Sequence, residues 1–161
     1  MQRLSWLISI AIAFFGVMII EHFFAMAPAD IERGGNLGAF GIALVAPFIL
    51  LSLYITYRFF MTASRNTTQP VYRLGLLLLG ILFVSVMYHY ANDYKLDVYA
   101  QLGGDANNPN SIIYGYPPLN EYTNHIFVNF YTFFFVHGLV AVIAGFIGMF
   151  KTREVTPSEH K

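Results

Sequence analysis

Few side chains in this sequence are equipped for chemistry, and most of those are histidines. Glu21, His22, His89 and His137 fall inside long apolar runs, and His125 sits at the edge of another. An ionisable group within a membrane span is costly, so each is a functional candidate by default. With a helical rise of about 1.5 Å per residue from the midpoint of each run, His22 and His89 both lie roughly 9–10 Å toward the same side. By the same measure His137 falls near the middle and His125 at the interface. Two imidazoles from different helices at matched depth suit the axial positions of a b-type haem. The pair also suits a metal ion, with His125 or Glu21 completing the shell. Glu21 precedes His22 directly, so on a helix the two point about 100° apart. No H-x-x-x-H or H-E-x-x-H spacing supports the metal reading. The plainer alternative is that each histidine is interfacial, bonded to tyrosine hydroxyls or to backbone.

His137 poses a separate question. A neutral imidazole at the midplane needs a hydrogen-bond partner. Ser85 lies nearest in depth, and Asn129, two turns away on the same helix, is out of direct reach. An interhelical hydrogen bond is the plain expectation, and a proton path or quinone contact is the functional one. No Ser/His/Asp arrangement, phosphate loop or paired carboxylates stands out, so catalytic residues stay unassigned. Asp93 and Asp97 lie four apart and read as solvating a helix end rather than as an acid–base pair.

The elements that must hold these groups are apolar helices. Of 161 residues, 57% are hydrophobic and only 11% charged, whereas soluble domains carry about 25% charged residues. Most of the surface therefore does not face water. A net charge of zero argues against nucleic acid as a partner. The absence of cysteine excludes disulfides, iron–sulfur ligation, thiolate zinc sites and c-type haem attachment.

Four segments, 4–27, 38–61, 72–91 and 126–150, are each long enough to span. The first also resembles a signal peptide, with Arg3 and an Ala25-Met26-Ala27 site, but its apolar run exceeds the usual length of about 7–15 residues, so a retained helix is expected. Pro47 lies within the second segment, where neighbouring helices can satisfy a freed carbonyl. The third keeps helical spacing in Tyr94, Val98 and Leu102 before Gly103-Gly104 stops it. The 92–125 stretch, with Asn107-Asn108-Pro109-Asn110 and Pro117-Pro118, is a loop between helices 3 and 4.

Arg3, Arg58, Arg65, Arg73, Lys151 and Arg153 gather at one side of this arrangement. The other side has Arg33 and Lys95 against Asp30, Glu32, Asp93, Asp97, Asp105 and Glu121. The bias toward Lys and Arg places both termini in the cytoplasm and the long loop outside it. The expected fold is therefore an all-α integral membrane, four-helix transmembrane bundle in a single domain, with one structured extracytoplasmic loop. Its expected location is the bacterial cytoplasmic (inner) membrane, as a multi-pass protein.

In the fourth segment Gly138, Ala141, Gly145 and Gly148 share one face, a seam where backbones can approach. The seam serves either packing within this chain or docking onto another subunit. Sixteen Phe and eleven Tyr supply lipid-facing and interfacial aromatics. The functional expectation is a small accessory subunit of a larger membrane complex, of respiratory or electron-transfer kind. Its partners would be membrane lipid and other subunits or further copies of itself. The alternatives are a b-type haem or metal-binding redox protein using His22 and His89, and a membrane enzyme acting on lipid or quinone at the outer interface.

Overall fold

The computed structural model describes residues 2–24 and 37–150. The 25–36 segment, with Asp30, Glu32 and Arg33, and the 151–161 tail, with Lys151 and Arg153, lie outside the described residues, as does the expected end of the first span at 25–27.

All regular structure among the described residues is helical. Helix α1 (Gln2–Ile19) passes directly into a π turn, Ile20–Phe24. Helix α2 (Leu37–Asn66) runs through Pro47 without interruption. Helix α3 (Pro70–Gln101) starts on Pro70, whose fixed φ suits a first helical position. A single turn, α4 (Asn124–Phe127), precedes α5 (Phe130–Phe150). Among the described residues, four stretches are long and apolar enough to cross a membrane: Gln2–Phe23, Gly38–Asn66, Pro70–Gln101 and Asn124–Phe150.

The second and third helices are both longer than their expected spans. The connection left between the expected spans 38–61 and 72–91 shrinks to 67–69, because Thr67 folds back onto Ala63 and Ser64 while Arg73 reaches the carbonyls of Thr67 and Arg65. Helix α3 continues to Gln101 and ends in a Schellman motif. There Gly104 N–H donates to Tyr99 O at 2.8 Å, Gly103 N–H donates to Ala100 O at 3.2 Å, and Gly103 takes φ +79°, which glycine adopts without a Cβ penalty. The fourth span differs from the expected continuous helix over 126–150, because it breaks at Val128–Asn129.

In space the helices are ordered α1, α2, α5, α3. Helix α5 packs between α2 and α3, α1 lies chiefly on α2, and α3 rests chiefly on α5. None of the most apolar window of α3 is buried. At the N-terminal end of α1, Trp6 stacks on Phe59 at 4.5 Å and its indole N–H donates to Thr56 at 3.1 Å, which joins α1 to α2.

At the opposite end the 102–123 loop builds a small core of its own. Val98 of α3 and Leu102 just past its end pack with Ile113, Tyr122 and Ile126. The loop also satisfies its own polar groups. Ser111 Oγ lies 3.1 Å from Leu102 O and 2.7 Å from Gly104 O, Asn120 Oδ1 accepts from Tyr122 N–H, and Thr123 Oγ donates to Pro118 O. Backbone polar groups left unpaired in such a position cost as much as lost hydrogen bonds, which is why short Asn, Ser and Thr side chains fill this stretch.

Candidate functional site

The break in the fourth span creates the most concentrated polar site. An unbroken helix there would bond each N–H four residues back. At Val128–Asn129 that ladder stops, and the side chain of Asn129, fully buried, replaces it. Its amide donates to His125 O at 2.7 Å and Ile126 O at 2.9 Å, while its Oδ1 accepts from Thr132 N–H at 2.9 Å. Asn129 thus closes the C-terminus of α4 and caps the N-terminus of α5 with one side chain.

Glu21 approaches the same break from another element. Carried on the π turn, its carboxylate lies near the backbone N–H of Phe130, the first residue of α5. A carboxylate at a helix N-terminus is favoured by the exposed N–H groups and by the helix dipole. One carboxylate oxygen, Oε2, is buried with no hydrogen-bond partner among the described residues. The π turn matters here because such turns re-aim side chains that a regular helix would direct elsewhere.

Near this end stand Tyr94 of α3, His125 of α4 and Tyr131 of α5, with the Tyr94 ring as their common contact. Tyr94 is within electrostatic reach of Glu21 and Tyr131. Its ring meets His125 edge-on at 5.9 Å and Tyr131 at 6.0 Å. His125 is 7% exposed, and its Nδ1 is buried without a hydrogen-bond partner among the described residues. Tyr94 thus joins an imidazole and a second phenol, with the Glu21 carboxylate within electrostatic reach, one group from each of four chain segments. The set can hold or relay a proton and can hydrogen-bond a polar headgroup.

Of the residues expected at a haem or metal site, the structure gathers Glu21 and His125 at this end. It leaves His22 and His89 in other surroundings. His22 is exposed against the edge of Phe23 at 4.9 Å. His89 is exposed, pairs with Asp93 at 3.3 Å one turn along α3, and stacks near Tyr90. Their helices, α1 and α3, are separated by α2 and α5 in the packing order. No group of three or more His, Cys, Asp or Glu side chains converges among the described residues.

His137 is buried, as a midplane histidine should be, but its partner is Ser52 of α2 at 2.7 Å from Nε2. Ser85 instead bonds Ile81 O on its own helix and is exposed. The face of α5 that carries His137 meets α2, and depth alone carries no information about which neighbour that is. His137 Nδ1 lies 2.9 Å from Phe133 O, which can only accept, so Nδ1 carries a proton; the Ser52 hydroxyl is shared between His137 Nε2 and Ile49 O, 2.9 Å away.

The small residues of α5 divide between two neighbours. Gly138 faces Phe83 and Val84 of α3, and Gly148 faces the Met61 carbonyl and Ser64 of α2. Gly145 has open space where a Cβ would point, although its carbonyl accepts from Ser64 Oγ at 2.8 Å. Ala141 and Gly145 line a groove between α2, α3 and α5.

Residues that sequence reasoning missed are Ser52, Thr56, Tyr94 and Tyr131. A signal existed for the hydroxyls, since Ser52, Thr56 and Ser64 are spaced four and eight apart along an apolar helix and so mark one face. Tyr94 and Tyr131 carried no comparable signal among so many tyrosines. Comparison with protein-family models, curated proteins and solved structures finds no match for the chain.

Proposed function

We propose that the chain is a small accessory subunit of a larger membrane complex, of respiratory or electron-transfer kind, in a bacterial cytoplasmic membrane. In this reading both termini are cytoplasmic and the 102–123 loop lies outside, as the Lys and Arg distribution favours. The observation that carries the proposal is the exposed pair on α3. Taking Arg73 as the level of one interface, His89 lies about 24 Å along the helix, inside a hydrocarbon layer of about 30 Å. Its side chain is 71% exposed and that of Asp93 is 48% exposed. Asp93, about 6 Å further along, reaches the edge of that layer, so the cost falls on an ionisable His89 held toward lipid, and a neighbouring subunit that covers α3 removes it. Tyr88 and Tyr90, both exposed on the same stretch, suit such an interface.

The test is a photoreactive residue placed at Val86 on the exposed side of α3, with a second at Leu4 of α1 as a control. Cross-linking in native membranes should give a discrete protein adduct from position 86. Replacing His89 and Asp93 with Leu should abolish it. Adducts to lipid alone at position 86 would defeat the subunit reading. The polar cluster favours a second reading, an enzyme acting on lipid or quinone at the outer interface. Under that reading Glu21→Gln should abolish turnover while leaving the cross-link intact.

A further inference from the structure

We infer that the groove between α2, α3 and α5 is a binding site for an anionic glycerophospholipid, with one acyl chain in the groove and the phosphate at Arg73. The groove has a volume of about 290 Å³. It is lined by Ala141 and Gly145 of α5, Phe59 of α2, and Leu76 and Leu77 of α3, and Arg73 is its first lining residue on α3. From Arg73 to Gly80, the far lining residue on α3, it extends about 10 Å by helical rise, so it takes the part of a chain nearest the glycerol.

Three observations converge on this occupant. The groove is apolar and lies on a span, so acyl chains are what it meets. It is open at Gly145, which has no atom within 4 Å of where a Cβ would sit. Finally, Arg73 is held in place by bonds to Thr67 O and Arg65 O, and no carboxylate pairs with it among the described residues. A guanidinium has five N–H donors, and the two it spends on these carbonyls leave others for phosphate oxygens. Arg58 and Arg65 lie at the same end and add to the positive field. A second groove, of about 320 Å³, lies between α1 and α2 and is lined by Ser5, Ser9 and apolar residues with no cation. It is an internal reference for acyl contact without headgroup recognition.

The experiment is native mass spectrometry of the whole chain in mild detergent, titrated with phosphatidylglycerol or with phosphatidylcholine of the same acyl chains. Phosphatidylglycerol should bind at least tenfold more tightly. Gly145→Leu, which adds a side chain where a Cβ meets open space in the groove, should lower that binding at least tenfold with helicity unchanged. Arg73→Gln should bring the two lipids to equal affinity, and it decides the matter if Gly145→Leu alters the fold. Equal binding of the two lipids by the unmodified chain overturns the headgroup assignment. Undiminished phosphatidylglycerol binding by a folded Gly145→Leu variant overturns the groove, and a preference that survives Arg73→Gln overturns the role of Arg73. Inorganic phosphate should neither bind detectably nor compete, and competition at millimolar phosphate would assign the site to a free anion.

Discussion

Replacing Asn129 with Ala should show how much the broken fourth span depends on one side chain. Three backbone groups lose a partner: His125 O, Ile126 O and Thr132 N–H. The Thr132 hydroxyl, already 3.1 Å from Ile126 O, can keep that carbonyl satisfied. Two buried groups remain orphaned, at about 1–3 kcal/mol each, so the loss is about 2–6 kcal/mol. For a chain of this size about 2–4 °C accompanies each kcal/mol, which places the fall in Tm at about 5–20 °C. Thermal unfolding of the purified protein in mild detergent, followed by circular dichroism, measures it. Asn129→Ser separates the two halves of the role. Serine still accepts the Thr132 N–H as an N-cap but cannot donate to both carbonyls of α4, so its Tm should fall between those of the unmodified protein and the Ala variant. A Tm for Asn129→Ala within about 1 °C of the original would refute the account, since an orphaned buried carbonyl and N–H together cannot cost so little. A serine variant as unstable as the alanine one would show that the cap contributes nothing.

Two further outcomes follow from the packing. Gly148→Ala puts a Cβ 2.7 Å from the Met61 carbonyl and 2.8 Å from Ser64 Cβ, so it should cost about 1–3 kcal/mol, whereas Gly145→Ala meets open space and should be neutral within about 0.5 kcal/mol; equal effects at the two positions would contradict this placement of α5. For the proposed orientation, Asn110→Cys should react with an impermeant thiol reagent outside intact cells and Thr68→Cys should not, both positions being exposed in a chain without native cysteine; the reverse labelling would invert the topology. Ser111 is a poorer labelling site because its side chain is buried between Leu102 O and Gly104 O.

How much could be read from the residues alone depended on the kind of information required. Long apolar runs specify helices directly, and the stop at Gly103-Gly104 followed from the conformational freedom of glycine. The break at Val128–Asn129 carries no proline or glycine. It is legible only when Asn129 is known to be buried, since an exposed asparagine would leave the helix intact. Depth along a helix could be counted, and it put His137 near the middle of its apolar stretch. Lateral order could not, because hydropathy is the same on either side of a helix that touches two neighbours. That is why Ser85 looked nearer than Ser52, and why Gly138 and Gly148, read as one seam, serve α3 and α2 separately. Glu21 and His125 were singled out by type. Their convergence with Tyr94 and Tyr131 depends on a π turn and a helix break that periodicity does not encode.

The π turn at Ile20–Phe24 means that the aim of Glu21 is set by a count of residues as well as by their identities. A wider turn holds one residue more than an α-helical turn, and each residue advances the helix by about 100°. Deleting one residue just before it, at Ile19 for example, would let α1 continue as a regular helix with nearly the same apolar surface. The carboxylate would then swing away from the start of α5. A library of point substitutions through this region would record Ile19 as tolerant, because most apolar replacements preserve the count. A library of single deletions would record it as intolerant. The placement of Glu21 beside α5 is thus protected against changes of side chain and vulnerable to changes of length.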